Sequence, residues 1–173
     1  MRFPFLNCPA CASPKPEWVD GKALHCPTCG LHYYHNVAAT AGAFIRHQDH
    51  LLLAVRARNP GAGLLDLPGG FVDPGESLEQ GLRREIREEL GIDLPNLAYL
   101  FSFANTYRYK DVVYRTADAL FEANFEHRPE VYPADDVAKV CWKRLADIQL
   151  QDIAFESIRS AIIQLRKRPA DPA

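Results

Sequence analysis

The chain has 173 residues, 47% of them hydrophobic, and a formal net charge of -2, which suits one domain of ordinary size with a small appendage and a packed core. No apolar run approaches the ~18 residues that span a bilayer, and the opening MRFPFLNCPAC lacks the basic start and long apolar centre of a signal peptide. The expected compartment is therefore the cytoplasm, and the near-neutral charge gives no electrostatic reason to expect nucleic acid or a membrane surface as partner.

Four cysteines come first, as the pairs Cys8-Pro-Ala-Cys11 and Cys26-Pro-Thr-Cys29 with fourteen residues between them. Two C-x2-C pairs at this spacing read as the knuckles of a zinc ribbon, in which four thiolates close a tetrahedral Zn2+ site. With every position filled by protein the metal is structural, and it folds residues 1–36. A disulfide framework is the alternative, but nothing indicates export, and a redox pair needs a different surrounding fold. His25, His32 and His35 read as packing or surface residues, since four cysteines already satisfy zinc. The charges of this segment, Arg2, Lys15 and Lys22 against Glu17 and Asp20, leave +1, too little for a nucleic-acid patch.

Residues 37–168 form the main domain. The runs 37–46 and 51–56 are strand-like and joined by a polar turn at 47–50, consistent with a hairpin, and 58–63 is a loop. Leu67-Pro68-Gly69-Gly70 and Asp73-Pro74-Gly75 are turn sequences on either side of a short strand piece, Phe71 and Val72. The paired glycines either let backbone approach a ligand closely or mark an ordinary hairpin loop. Ser77 with Gln80 reads as a capping box, so a helix begins at Ser77 and ends where Gly91 caps it. At about 100° per residue, Leu78, Leu82, Ile86 and Leu90 form one stripe, and Glu85, Glu88 and Glu89 fall in a single sector beside it. Like charges that close cost free energy unless cations join them; the plainer alternative is a solvated helix face. Oxygen ligands, with waters and phosphates completing the shell, suit Mg2+ or Mn2+ rather than zinc. Arg84 lies beside Glu88, where it either makes a surface ion pair or holds the carboxylates in their ligating rotamers.

Further on, 97–107 and 112–123 read as a second strand pair, 139–142 as a further strand, and 155–166 as a closing amphipathic helix with Phe155, Ile158, Ile162 and Leu165 at helical spacing. Cys141 reads as a buried core thiol and residues 169–173 as a disordered tail. Phe103, Tyr107 and Tyr109 could stack on a planar ring, although alternation along the strand sends some of them to the core.

The segment from Gly70 to Ile92 fits the pattern G-x5-E-x7-R-E-U-x-E-E-x-G-U, with U a bulky aliphatic residue, at Gly70, Glu76, Arg84, Glu85, Ile86, Glu88, Glu89, Gly91 and Ile92. It therefore resembles the Nudix hydrolase family. The resemblance covers residues 37–168 and implies an α/β/α sandwich with a mixed sheet between helices, here preceded by a small zinc ribbon. It implies metal-assisted attack of water on one phosphorus of a nucleoside diphosphate linked to another group X. Glu85, Glu88 and Glu89 are then the ligands of Mg2+ or Mn2+, the Gly70 carbonyl completes the shell, Arg84 is a catalytic residue, and one carboxylate orients or deprotonates the water. Many relatives carry acidic residues where Asp135 and Asp136 stand, so these are either a further ligand or base or a solvated loop; Glu122, Glu126 and Glu130 are weaker candidates. A ribbon before such a domain is similar to the NADH pyrophosphatase branch, whose members also cut NAD caps from RNA. That branch carries a signature close to SQPWPFPxS, where this chain reads Phe101-Ser102-Phe103-Ala104-Asn105-Thr106-Tyr107. The arrangement looks closer to shorter ribbon-bearing members that act on ADP-ribose or FAD, although the proline that marks many ADP-ribose hydrolases is missing too. The expected substrate is ADP-ribose or FAD, then NADH. The alternatives are NAD-cap removal from RNA and a non-catalytic module that senses a nucleotide or docks a partner. Many relatives dimerise, so a homodimer is an open expectation.

Overall fold

The computed structural model describes residues 5–168; the tail expected at 169–173 lies outside the described residues. The chain divides into two compact units, Met1–Val37 and Ala38–Ala173. In the first, three short strands, β1 (Glu17–Val19), β2 (Ala23–His25) and β3 (His32–Tyr34), form an antiparallel sheet in that order. Its small interior is Ala23, Leu24, Cys8 and Cys26. So little apolar burial stabilises a fold poorly without a staple.

The second unit is built on the expected hairpin, β4 (Ala38–His47) and β5 (His50–Arg56), turned by Gln48 at φ 55° and Asp49. The short strands β6 (Leu65–Asp66) and β7 (Gly69–Phe71) follow, then helix α1 (Leu78–Leu90), the long hairpin β8 (Ala98–Tyr109) and β9 (Val112–Asn124), strand β10 (Val137–Arg144) and helix α2 (Glu156–Lys167). The sheet runs β10-β5-β4-β9-β8, with β6 beside β5 and β7 beside β4. Among the named strands, β4 and β9 pair in parallel and the other pairs are antiparallel, so the sheet is mixed.

Alternation along β4 and β5 sends side chains to two faces. Ala41, Ala43, Ile45 and Leu52 pack against Leu82, Ile86 and Leu90 of α1, while Phe44, Leu51 and Leu53 pack against Ile158, Ile162 and Leu165 of α2. The helices therefore cover opposite faces, the expected α/β/α sandwich, and burial of each large side chain contributes about 1.5–3 kcal/mol. The capping box at Ser77 is formed in both directions, and Gly91, at φ 69°, closes the helix by donating to the Arg87 carbonyl. No helix among the described residues is long and apolar enough to cross a membrane.

Two local expectations are corrected. The closing helix starts at Glu156, because Phe155 takes an extended backbone, φ -115° and ψ 145°, and stands at the N-cap. The strand piece expected at Phe71 and Val72 is instead Gly69–Phe71, so both glycines lie inside β7, opposite Gly42 and Ala41 of β4. A Cβ on Gly69 would run into the Ala41 carbonyl oxygen, and its φ of 135° suits glycine. Glycine at position 69 is what lets β7 lie this close to β4.

Candidate active site

The close approach of β7 brings backbone and carboxylates together. The Gly69 N–H donates to Glu89 Oε2 at 2.9 Å. A Cβ on Gly70 would stand 2.6 Å from the Glu85 carboxyl, so this carboxylate fills the space that glycine leaves. Glu89 is 8% exposed although ionisable. Burial pushes its pKa up to about 8, assisted by the carboxylates of Glu85, Asp66 and Asp136 and opposed by the Gly69 N–H. Burial likewise raises Glu85, which Arg84 opposes and Glu88 and Asp135 reinforce. Carboxylates desolvated among like charges fit a divalent cation, and the donors are all oxygens.

Arg84 is the hub that orients this cluster. Its Nε and Nη2 grip both oxygens of Glu76 at 2.9 and 3.0 Å, its Nη1 donates to Glu85 at 2.8 Å and Glu88 at 3.1 Å, and Nη2 also reaches the Phe71 carbonyl at 3.0 Å. A planar fork with five acceptor atoms around it is not an isolated surface ion pair. These bonds, those to Glu76 first, raise the pKa of Arg84, and the Arg84 hydrogen bond holds Glu76 below its usual range. The positioning role of Glu76 had a signal in the sequence, since it is one of the matched pattern positions.

Asp135 and Asp136 are delivered by a loop that docks on the end of α1. Tyr132 N–H donates to the Leu90 carbonyl and Ala134 N–H to the Glu89 carbonyl, at 3.0 and 2.9 Å. Asp135 takes φ 50°, and Asp136 pairs with Arg58 at 2.9 Å. Both act electrostatically on the helix carboxylates, as noted above. Glu122 is instead held by Arg46 at 2.7 Å, and Glu126 and Glu130 are exposed.

On the α2 face of the sheet a recess of about 90 Å³ opens beside Gly69 and Gly70. Its aromatic walls are Phe71, Tyr107 and Phe155, with ring centroids 5.5 Å apart for Phe71 and Tyr107 and 5.9 Å for Tyr107 and Phe155. Tyr107 thus stands where a ring could stack. Phe103 does not line the recess: it packs edge-on against Phe101 at 5.5 Å, on the core beneath α2. Both residues share one strand face, but Phe103 is nearer the helix body. Tyr109 is largely exposed.

The polar floor of the recess was not read from sequence. Asp118 is buried, and it accepts the hydroxyls of Thr40, Thr116 and Ser157 at 2.6, 2.6 and 2.7 Å. Asp66 accepts from Arg56 at 2.8 Å and from the Leu67 N–H at 2.9 Å; burial raises its pKa to about 6 against the pull of Arg56. Asn105 also lines the space.

In the first unit, Cys8, Cys11, Cys26 and Cys29 converge, with all four ligand atoms within 4.8 Å of one another. Cys8 and Cys29, and Cys11 and Cys26, have sulfurs 3.7 Å apart. Bonded sulfurs sit about 2.05 Å apart, whereas a tetrahedral ion with metal–sulfur bonds of about 2.3 Å spaces them by about 3.8 Å. The two knuckles repeat one turn: Ala12 N–H donates to the Cys8 carbonyl and Gly30 N–H to the Cys26 carbonyl, with φ 58° and 74° at the donors. The cluster is compatible with zinc. His25 and His32 stack on each other at 4.4 Å, and His35 lies against Trp18, as packing residues. Cys141 is partly buried against the α2 core.

Known proteins share this architecture. The NAD-capped RNA hydrolase NudC of Chromobacterium violaceum is 39% identical over 95 residues, 55% of this chain and 36% of that protein. The chain spans about a third of the length of such curated relatives. A NUDIX hydrolase from Nitrosomonas europaea superposes with a TM-score of 0.69 at 23% identity, covering 96% of both chains. The NUDIX domain of Shewanella oneidensis NrtR, solved in complex with ADP ribose, gives 0.64 at 28% identity over 83% of this chain and 93% of that one. The carboxylates of α1, the glycine strand against them and the α/β/α sandwich agree with a NUDIX domain model that matches residues 36–164, and the chain belongs to the NUDIX family.

Proposed function

We propose that the protein hydrolyses the diphosphate bond of nucleoside diphosphates linked to a group X, with ADP-ribose or FAD as first substrates and NADH next. The observation that carries this reading is the contact between the Gly69–Gly70 backbone and the desolvated carboxylates of Glu85 and Glu89. In it, Glu85, Glu88, Glu89 and the Gly70 carbonyl hold Mg2+ or Mn2+. Such ions, when bound, neutralise diphosphate oxygens and make hydroxide available near neutral pH. Arg84 keeps Glu85 and Glu88 turned toward the site, with Glu76 fixing the guanidinium from the other side. A carboxylate of the cluster accepts the proton of the attacking water as the new phosphorus–oxygen bond forms. The anhydride bond then breaks and the phosphorylated X departs. Asp135 and Asp136 supply a further ligand or base from their docked loop. The four cysteines hold structural Zn2+, and the reaction takes place in the cytoplasm on a small nucleotide.

NAD-cap removal from RNA is the second reading, favoured by the likeness to the Chromobacterium violaceum protein of that name. Incubation of the purified chain with Mg2+ and ADP-ribose, FAD, NADH, NAD-capped RNA and nucleoside triphosphates, with AMP release measured, tests both. Selective AMP release from ADP-ribose or FAD is expected; preference for capped RNA moves the assignment to the second reading. Silence with both Mg2+ and Mn2+ overturns the enzyme.

A further inference from the structure

Arg56 is held unusually firmly for an arginine next to a cavity. Its Nε donates to the Pro60 carbonyl at 2.7 Å, its Nη1 to Asp66 at 2.8 Å, and its guanidinium lies over the Phe155 ring at 4.9 Å. Its side chain is 14% exposed, and it lines the recess. Arginine carries five N–H donors in a rigid fork, and its Nη2 pair is claimed by no hydrogen-bond partner among the described residues. A donor edge fixed in this way loses little freedom on meeting an acceptor, which is what makes it selective.

The surroundings say what kind of acceptor it meets. Among the described residues the recess is lined by one cation, Arg56, and two carboxyl groups, Asp66 and Asp118, so a phosphate placed there would face more negative than positive charge. The phosphates belong at the Gly70 end, with the carboxylates and their metal. The volume of about 90 Å³ is below the roughly 150 Å³ of a cavity that admits benzene, so the open recess takes the edge of one ring, not a whole dinucleotide. Phe71, Tyr107 and Phe155 line it with aromatic surface.

We propose that Arg56 determines specificity: its free guanidinium edge donates to an acceptor on the rim of a neutral planar heterocycle at one end of the dinucleotide, and Asp66 is the positioning residue that fixes the fork. This rests on the proposed diphosphate hydrolysis for its biological meaning, but its test does not.

Calorimetric titration of the full chain with Mg2+, using AMP, FMN and ribose 5-phosphate as probes, separates ring from phosphate. In the wild type, AMP or FMN should bind about tenfold or more tighter than ribose 5-phosphate, as a hydrogen bond to a charged group predicts. Arg56→Gln and Arg56→Lys should both erase that advantage and leave ribose 5-phosphate unchanged; whichever nucleotide loses names the end that enters. Arg56→Lys keeps a cation for Asp66, so it answers the question even if Arg56→Gln fails to fold. In turnover the same variants should raise KM and leave kcat nearly unchanged. Equal loss for ribose 5-phosphate would mean that the guanidinium reads phosphate, and no ring advantage in the wild type, or none lost in the variants, equally overturns the proposal. If no diphosphate is hydrolysed while the ring advantage persists and depends on Arg56, the reaction falls and the ring site stands.

Discussion

Glu89 combines burial, a backbone donor and three carboxylate neighbours, which is why its substitution separates chemistry from folding. Glu89→Gln keeps the volume and removes a charge that the fold disfavours. Turnover should fall by about a hundredfold or more, while the melting temperature at mildly alkaline pH stays the same or rises; steady-state kinetics with a thermal melt checks both, and retained activity would sink the ligand assignment. The carboxylates and cysteines were legible in the sequence because their spacing is itself their geometry. One helical period gathers Glu85, Glu88 and Glu89, and a four-residue turn gathers each cysteine pair. Arg56, Asp66 and Asp118 were not, since they stand on β5, β6 and β9 and meet only through strand pairing that no local pattern encodes.

At the scale of elements, α1 is the most self-contained piece. Its cap, stripe and stop were all readable, and Ser77→Ala, which removes the hydroxyl that accepts from Gln80 N–H, should cost about 1 kcal/mol in denaturant unfolding. No measurable loss would mean that the first turn is held by tertiary packing instead. The hairpins were readable from alternation, but the true place of β7 was not, because two glycines look like a turn until the Ala41 carbonyl excludes a Cβ at Gly69 and the Glu85 carboxyl excludes one at Gly70. The docked loop after β9 was also hidden, since its anchoring donors, Tyr132 and Ala134, are backbone groups without a residue signature.

For the whole molecule, pH and metal are linked through raised carboxyl groups. Asp66, up from 3.8 to about 6, and Glu89, up from 4.5 to about 8, favour their protonated forms in the fold. The stability they allow is fully present below the ordinary pKa and is lost as pH climbs through the raised one. The Asp66 share is gone by about pH 6 and the Glu89 share by about pH 8, so without divalent cation the melting temperature of the Ala38–Ala173 unit should drop by several degrees from about pH 5 to about pH 8. Mg2+ should restore most at the alkaline end, and a flat or rising profile would contradict this. The helix signal in circular dichroism reports this unit, because the described helices all lie in it. Chelation followed by Mg2+ readdition should leave that signal and most turnover in place while Trp18 fluorescence shifts as residues 1–36 loosen. Total loss of activity would mean that the ribbon helps to form the pocket or holds a dimer together. The sheet itself acts as a partition: the carboxylates ride on the core beneath α1, and the recess proposed to take a ring on the core beneath α2. Two mild core changes, each costing about 1 kcal/mol, should then produce different enzymes. Ile86→Val should raise the Mg2+ concentration needed for half-maximal rate, and Ile162→Val should blunt discrimination among substrates. On the proposed assignments, ion affinity and substrate choice would drift independently through residues that touch neither.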